Sequence, residues 1–286
     1  MGGDMGAFQF SRFPSGSLMG ILNITPDSFS DAGRDFSPGE AIDHGHAWAR
    51  EGAAVLDLGA EASSFFRKGI APVDAHEQLR RLLPVLEGLR REAHAPVLSI
   101  DTRSATVAEA CLERLGGGTI INDISAGTQD PRIFEVAAKH GAGMILMHIT
   151  PGYPATAPDD PDIVATVRDY LEQRVAAAQA AGIPRERLAV DPGVGFGKSM
   201  ADSWRLALAI GEIAPAGVAT VLGASRKRFL ETPPPFAGEA AGRLAQYIAR
   251  MPEGPHRRDR MTWAVTALLR HRATLHRLHA LPGATL

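Results

Sequence analysis

The stretch PVLSIDTRSATVAEACLERLGGGTIINDIS, residues 96–125, has the pattern of one strand, one helix and a second strand. Its outer parts, PVLSIDT (96–102) and GTIINDIS (118–125), are short runs rich in Val, Ile and Leu, which is typical of strands buried on both faces. Between them, SATVAEACLERL (104–115) carries apolar residues at helical spacing. A strand, a crossover helix and a second strand form the unit from which parallel sheets are built.

The same alternation of an apolar run and an amphipathic stretch continues along the whole chain. The apolar runs are residues 18–24, 54–60, 96–102, 118–125, 143–149, 187–194, 219–225 and 273–281. Eight alternations without a break in composition predict an α/β fold, a single (β/α)8 TIM barrel domain over residues 1–286, rather than an open doubly wound sheet. Asp74, with Glu77 three residues later, has the pattern of a capping box at the start of a helix.

Composition excludes several classes of protein. With 45% hydrophobic and 22% charged residues, the 286-residue chain has the balance of a soluble globular protein and not of a disordered one. A formal net charge of −2 with dispersed Lys and Arg does not favour nucleic acid as a partner. The single cysteine, Cys111, excludes an internal disulfide and a cysteine-based metal site. Because we find no signal-peptide pattern and no membrane-spanning apolar run, we expect a cytoplasmic protein that does not contact membranes.

Polar residues follow most of the eight predicted strands. They are Asn23, Asp57, Asp101, Thr102, Asn122, Asp123, His148, Asp191, Ser225, Arg226, Lys227, Arg277 and His279. In a parallel barrel the carboxyl ends of the strands meet at one rim, where active sites are built. Carboxylates and amides near a barrel interior need hydrogen-bonding partners. We therefore interpret these residues as the binding site of a polar ligand.

Two apparent motifs do not support other functions. DPGVGFGKS (191–199) is similar to a phosphate-binding loop, but Pro192 stands where that motif needs glycine. Lys198 stands where the third glycine of a dinucleotide fingerprint would be required. His148 has no second histidine at metal-ligand spacing, so we interpret it as a structural residue rather than a zinc ligand.

Seven segments together resemble the dihydropteroate synthase family, in order and at matching spacing over nearly the whole chain. They are GILNITPDSFSDAG (20–33), SIDT (99–102), IINDIS (120–125), LMHI (146–149), DPGVGFGKS (191–199), GASRKRFL (223–230) and HRLH (276–279). Members of that family are (β/α)8 barrels of folate biosynthesis, which join 6-hydroxymethyl-7,8-dihydropterin diphosphate to p-aminobenzoate and release diphosphate. The resemblance also implies a homodimer and a Mg²⁺ cofactor.

The resemblance implies roles in pterin binding and catalysis. Four residues, Asp101, Asn122, Asp191 and Lys227, would hold the pterin, whose edge alternates hydrogen-bond donors and acceptors. Arg277 would lie against the pterin ring. Asp101, Lys227 and Arg277 are then the catalytic residues, and the Asp101 carboxylate would favour the positive charge that develops on the pterin methylene.

The resemblance implies further contacts with the diphosphate and with the second substrate. Arg67, Arg277 and His279 would contact the diphosphate oxygens, and Asn23 would bind the Mg²⁺ on the diphosphate. Ser225 is expected near the carboxylate of p-aminobenzoate, together with amides at the start of a helix that SRKRFL opens.

The second loop departs from the family pattern. Family members have roughly Gly-Gly-Glu-Ser-Thr-Arg-Pro-Gly there, whereas this chain has GAEASSFFRKG (59–69), with about three extra residues. If the insertion is placed at residues 64–66, Ser63 aligns with the family's threonine and Arg67 aligns with its arginine.

Two adjacent aromatic residues, Phe65 and Phe66, lie in this insertion. Neighbouring residues of an extended loop point in opposite directions, so we expect at most one of the two rings to reach the site. One hypothesis is that this ring stands at the p-aminobenzoate pocket and excludes sulfonamides, which carry bulk beyond the carboxylate position. The other is that both rings only cover apolar surface.

The sequence also leaves two alternative functions open. The first is a catalytically silent pterin-binding homologue, which would bind the ligand without turning it over. The second is a pterin-dependent methyltransferase on the same barrel, in which Asn23, Arg277 and His279 would have no diphosphate to contact.

Overall fold

The computed structural model describes residues 8–25, 37–61, 72–91, 95–236, 238–251 and 257–281. Within these residues, parallel strands follow one another in chain order around a closed barrel: β1 (Ser17–Asn23), β2 (Ala53–Gly59), β3 (Val97–Asp101), β4 (Ile120–Asp123), β5 (Gly143–Met147), β6 (Leu188–Asp191), β7 (Ala219–Leu222) and β8 (Leu275–Leu278). The barrel closes through pairing of β1 with β8. The predicted (β/α)8 TIM barrel is confirmed.

Helices separate the strands and cover the outside of the barrel. They are α1 (Pro38–Arg50), α2 (Ala75–Leu89), α3 (Ala105–Leu115), α4 (Arg132–His140), α5 (Ile163–Ala180), α6 (Met200–Leu208), α7 (Ile210–Ile213), α8 (Glu239–Arg250) and α9 (Arg257–Leu268). Short 3-10 turns occupy Phe10–Arg12, Arg185–Arg187 and Arg228–Glu231. Among the described helices, none combines the length and the apolar composition that crossing a bilayer requires.

Side-chain caps begin three of the described helices, among them α2 and α6. Asp74, predicted to start a capping box, accepts a hydrogen bond from the Glu77 N–H at 2.8 Å at the start of α2. Ser199 accepts one from the Asp202 N–H at 3.0 Å at the start of α6. The serine of the apparent phosphate-binding motif therefore begins a helix, which accounts for its position without a nucleotide.

The segment after β6 is divided into two helices, and the segment after β7 differs from its prediction. Residues 200–213 form the separate helices α6 and α7, interrupted at Ala209. The helix expected from SRKRFL is wrong, because only the 3-10 turn Arg228–Glu231 forms there. Arg226 has a left-handed backbone with φ of 59°, a conformation that cannot be part of a right-handed helix. Its guanidinium instead pairs with Asp259 of α9 at 2.6 Å.

Apolar side chains fill the amino-terminal end of the barrel. The strands contribute one cluster of buried residues: Met19, Val55, Ile120, Ile145, Ala189, Val221 and Leu275. Phe8, Phe10 and Phe13, which precede β1, belong to the same cluster. The Phe8 and Phe10 rings meet edge to face, 4.9 Å apart. A Cβ at Gly143 would lie 2.4 Å from the Phe8 ring, so β5 passes directly against it. These three phenylalanines form the aromatic floor of the barrel.

The inward positions become polar two residues further along most strands. Successive residues on one side of a strand are two apart, so these positions lie one layer above the floor. They include Asp57, Ser99, Asn122, Asp191 and Arg277. The fold thus places a polar layer between the apolar floor and the carboxyl-terminal rim.

We expect Phe8→Ala to lower the free energy of unfolding by about 3–5 kcal/mol, because the ring fills the closed end of a packed interior. Urea unfolding of the parent and the variant measures this loss. The exposed neighbour Gln9 provides the control, since Gln9→Ala should change the free energy by less than about 0.5 kcal/mol. Equal effects of the two substitutions would show that the Phe8 ring does not support the barrel.

Candidate active site

A cavity of about 340 Å³ opens at the carboxyl-terminal rim of the barrel. The described residues to which the family resemblance gives a role all line it: Asn23, Asp101, Asn122, Asp191, Ser225, Lys227, Arg277 and His279. Of the other polar residues predicted at the rim, Thr102 lines the cavity, whereas Asp57, Asp123, His148 and Arg226 do not. The remaining predicted residues, Ser63, Phe65, Phe66 and Arg67, lie outside the described residues. The rim of the barrel therefore brings together residues that are up to 256 positions apart in the chain, from 23 to 279.

Arg277 of β8 forms the centre of the polar layer. Its Nε donates to Asp57 Oδ2 at 2.6 Å, and its Nη2 donates to Asp101 Oδ2 at 2.7 Å. Asn122 Nδ2 donates to the same Asp57 oxygen at 3.0 Å. Burial alone would lower the pKa of Arg277, but the adjacent carboxylates outweigh it and hold that pKa above its ordinary value. The guanidinium is therefore a permanent cation in the barrel.

The Asp101 carboxyl has an unusual proton affinity for an aspartate. Burial raises its pKa to about 7, in spite of the opposing charge of Arg277, and the charges of Asp57 and Asp123 act in the same direction as burial. Although 22% of the side chain is exposed to the cleft, the barrel wall separates most of it from water. Asp101 thus changes its charge close to neutral pH, where a change of ligand can shift it.

Asp191 and Lys227 form the second charged group of the cavity. Asp191 Oδ1 accepts a hydrogen bond from the Gly193 N–H at 2.7 Å, and burial raises the pKa of this carboxyl. Lys227 Nζ donates to the Val194 carbonyl and lies 4.3 Å from the centroid of the Phe196 ring. Burial lowers the pKa of Lys227 to about 8, although the charge of Asp191 opposes the shift. A carboxylate and an ammonium are thereby presented to one ligand.

Lys198 supports this part of the cavity from outside it. Its ammonium donates to the carbonyls of Gly193 at 2.9 Å, His148 at 3.1 Å and Phe196 at 3.4 Å. Three carbonyls thus satisfy the buried cation and fix the loop after β6. His148 packs edge to face on Tyr170, and burial lowers its pKa to about 3. The contacts of Lys198 and His148 therefore indicate structural roles for both residues.

Ser225 and His279 line the cavity from the segments that follow β7 and β8. The Ser225 hydroxyl accepts a hydrogen bond from the His279 N–H at 3.1 Å. Burial first, and then the charges of Arg277, Arg226 and Lys227, lower the pKa of His279 to about 3. The imidazole is therefore neutral at pH 7, so it can donate a hydrogen bond to an anion without adding a charge.

The ends of the second loop are fastened to the loop after β3. Glu61 pairs with Arg103 at 2.5 Å, and both side chains are only 10% exposed. Glu61 also accepts a hydrogen bond from the Val73 N–H at 2.8 Å. The Val73 carbonyl accepts a hydrogen bond from the side-chain amide of Gln78. The side-chain oxygen of Gln78 in turn accepts one from the Thr102 hydroxyl at 3.2 Å. This network holds residues 61 and 73 in place beside Asp101.

Sequence reasoning missed several of these contributions. Asp57 was recognised at the rim but received no role, and the Glu61–Arg103 pair was not identified. The family segment around Asp101, SIDT, ends at Thr102, so the next residue, Arg103, was not part of a recognised motif. The supporting role of Lys198 was also missed, since its three carbonyl partners become visible only when the loop is folded.

A metal cluster made by protein side chains alone is not present in the described part of the chain. No group of three or more His, Cys, Asp or Glu residues there could hold a metal ion. Asn23, at the end of β1, lines the cavity and has a carboxamide oxygen among its side-chain atoms. Mg²⁺ commonly takes one or two protein oxygens and completes its shell with substrate phosphates and water. A single oxygen from Asn23 fits a Mg²⁺ that arrives with a diphosphate.

Comparison with known proteins finds relatives that match most of this chain. The family model described as "Pterin binding enzyme" matches residues 19–278. The dihydropteroate synthase of Mycobacterium leprae is 39% identical over 265 residues, covering 91% of this chain and 84% of that protein. The corresponding enzyme of Synechocystis is 38% identical over 216 residues, covering 74% of this chain and 72% of that protein.

Solved structures agree with the sequence matches. The Xanthomonas albilineans dihydropteroate synthase with 4-aminobenzoic acid is 35% identical, with a TM-score of 0.76 and coverage of 94% of this chain and 88% of that one. The same enzyme in complex with 7,8-dihydropteroate has a TM-score of 0.74 at 34% identity, and covers 93% and 88% of the two chains. From the matched range and these identities, the chain belongs to the pterin-binding enzyme family.

Proposed function

We propose that this protein acts as a dihydropteroate synthase. It joins 6-hydroxymethyl-7,8-dihydropterin diphosphate to p-aminobenzoate, with 7,8-dihydropteroate and diphosphate as products. The observation that carries the proposal is the polar layer in one cavity, where Arg277 is held between Asp57 and Asp101 and lies among Asn122, Asp191 and Lys227. The family membership and the curated dihydropteroate synthases at 38–39% identity support it.

The pterin occupies the polar layer. Its edge alternates N–H donors with nitrogen and oxygen acceptors, which the Asp191 carboxylate, the Asn122 amide and the Lys227 ammonium complement. Each of these protein groups is costly to leave unpaired in a buried site, so a ligand with the wrong pattern is rejected. The flat guanidinium of Arg277 lies against the ring, held in its plane by Asp57 and Asp101.

The reaction needs charge stabilisation rather than a covalent enzyme nucleophile. The C–O bond between the pterin methylene and the diphosphate breaks, and its electron pair leaves with the diphosphate oxygen. The amine nitrogen of p-aminobenzoate forms the new C–N bond and loses a proton. Ionised Asp101 stabilises the positive charge that develops on the methylene. Arg277 and neutral His279 contact the diphosphate oxygens, and Arg67 adds a further cation.

Mg²⁺ and the remaining contacts complete the proposal. Asn23 would hold the ion, which neutralises part of the charge on the leaving diphosphate when bound. Ser225, whose hydroxyl is already fixed by the His279 N–H, lies at the carboxylate of p-aminobenzoate, and Ser63 belongs to the same substrate-binding set. The homodimer, the single-domain organisation and the cytoplasmic location stay predictions from the sequence and the resemblance.

Diphosphate release tests the function and separates it from the two alternatives. Purified protein is given the pterin diphosphate with and without p-aminobenzoate. We expect diphosphate release and 7,8-dihydropteroate formation that depend on p-aminobenzoate. Tight pterin binding without release would indicate the silent homologue. A pterin-dependent methyltransferase would neither release diphosphate nor form the product.

Asp101→Asn should lower turnover on the order of 10²-fold or more, because the amide cannot stabilise the developing cation. In the parent, kcat/KM should rise as the pH increases through about 7, where Asp101 loses its proton, and should fall above about 8, where Lys227 loses its own. The variant should lack the acidic limb and keep the basic one. Steady-state kinetics from pH 5 to 10 measure both. Unchanged turnover, or an acidic limb that persists in the variant, would contradict this role.

His279→Ala should weaken binding of the pterin diphosphate roughly 10- to 100-fold, because a hydrogen bond to a charged group is lost. Binding of free 6-hydroxymethyl-7,8-dihydropterin should stay within about twofold of the parent. Calorimetry with both ligands measures the difference, and the exposed His271→Ala serves as control. Equal losses for the two ligands would argue against contact with the diphosphate.

Deletion of residues 64–66, and separately Phe65→Ala and Phe66→Ala, test whether a ring excludes sulfonamides. If one ring does so, at least one variant should bind the drug more tightly relative to p-aminobenzoate than the parent does, since a steric clash is removed. The ratio of the inhibition constant of a sulfonamide to the Michaelis constant of p-aminobenzoate is the readout. A ratio that no variant lowers would mean that both rings only cover apolar surface.

A further inference from the structure

Two benzene rings face the cavity from neighbouring loops. Tyr153 follows β5 and Phe196 follows β6, and both line the cavity. Their centroids are 5.4 Å apart and their planes are inclined by 52°. Among the described lining residues, these are the ones with benzene rings, and we refer to Tyr153 and Phe196 as the aromatic wall. The polar layer and the aromatic wall thus give one cavity two chemically different parts.

Backbone hydrogen bonds fix the loop that presents Tyr153. The Tyr153 N–H donates to the Thr150 carbonyl at 3.1 Å, and the Thr150 N–H donates to the Phe196 carbonyl at 3.2 Å. The Ala157 N–H donates to the Gly197 carbonyl at 2.8 Å. The two loops are therefore bonded to each other on both sides of Tyr153, so the backbone that carries its ring is held in place.

Phe196 is also fixed on its other side. The Lys227 ammonium lies 4.3 Å from its centroid, where the cation and the ring attract each other. Because Lys227 is also one of the proposed pterin-binding residues, the aromatic wall begins where the pterin-binding groups end. Ser225 lies two residues before Lys227 and lines the same cavity.

We propose that Tyr153 is a specificity residue for the second substrate, and that its ring holds the aryl ring of the p-aminobenzoate acceptor in the cavity. This inference rests on the function proposed above. The acceptor is a flat ring with apolar faces and one carboxylate, whereas the pterin presents a polar edge. Aromatic side chains bind such rings in tilted or edge-to-face contact. Tyr153 lies outside every segment on which the family resemblance depends, so that resemblance does not imply the proposed contact.

The experiment compares Tyr153→Ala with Tyr153→Phe in steady-state kinetics. Tyr153→Ala should raise the Michaelis constant for p-aminobenzoate on the order of tenfold, because an aromatic contact is lost. The Michaelis constant for the pterin diphosphate and kcat should stay within about twofold of the parent. Tyr153→Phe keeps the ring, so both Michaelis constants should remain close to those of the parent. The control is Tyr247→Ala on α8, a residue that is 47% exposed and should change neither constant.

Calorimetric titration of the same four proteins with p-aminobenzoate, in the presence of free pterin and diphosphate, gives a readout that does not need turnover. Weaker binding by Tyr153→Ala alone supports the proposal. Unchanged binding, or equal losses for the pterin and for p-aminobenzoate, would overturn it, since the first excludes contact and the second indicates a general structural role. A parent protein that forms no product would overturn the proposed function, while the titration would still decide the role of Tyr153.

Discussion

The structure depends on the pairing of one cation inside the barrel. Arg277 comes from β8, and its carboxylate partners Asp57 and Asp101 come from β2 and β3. Removing one partner of a buried ion pair leaves an uncompensated charge and typically costs about 3–5 kcal/mol. The same three side chains orient the ligand-facing groups of the polar layer. The same three residues are therefore required both for the stability of the barrel interior and for the geometry of the site.

Burial moves the pKa values of acids and bases in and beside the cavity toward the same range. It raises the pKa of Asp101 to about 7 and lowers those of Lys198 and Lys227 to about 7 and about 8. Groups with such pKa values gain or lose a proton for a small change in surrounding charge. A ligand that brings negative charge, as a diphosphate does, thus favours the protonated lysines. The charge of the cavity therefore depends on the charge of the ligand that it holds.

The fold could be predicted because its signals are local. Each strand and helix, and a cap such as Asp74, is encoded within a few consecutive residues, and the rim follows from the geometry of any parallel barrel. The contacts that carry the site are not local. Asp57 and Arg277 lie 220 positions apart, and the partners of Glu61 and Lys198 are decided by how loops fold together. The predicted helix at SRKRFL failed for a related reason, since pairing of Arg226 with Asp259 accompanies a left-handed backbone.

The aromatic floor affects the order in which the two substrates can enter the barrel. Phe8, Phe10 and Phe13 are buried at the amino-terminal end of the barrel, and the described residues that line the cavity lie toward the carboxyl-terminal rim. The polar layer is the deeper part, and the aromatic wall lies in the loops above it. A pterin that arrived after the aryl acid would have to pass the bound aryl acid to reach the polar layer. With the two substrates placed as proposed, the pterin therefore enters the barrel before the aryl acid.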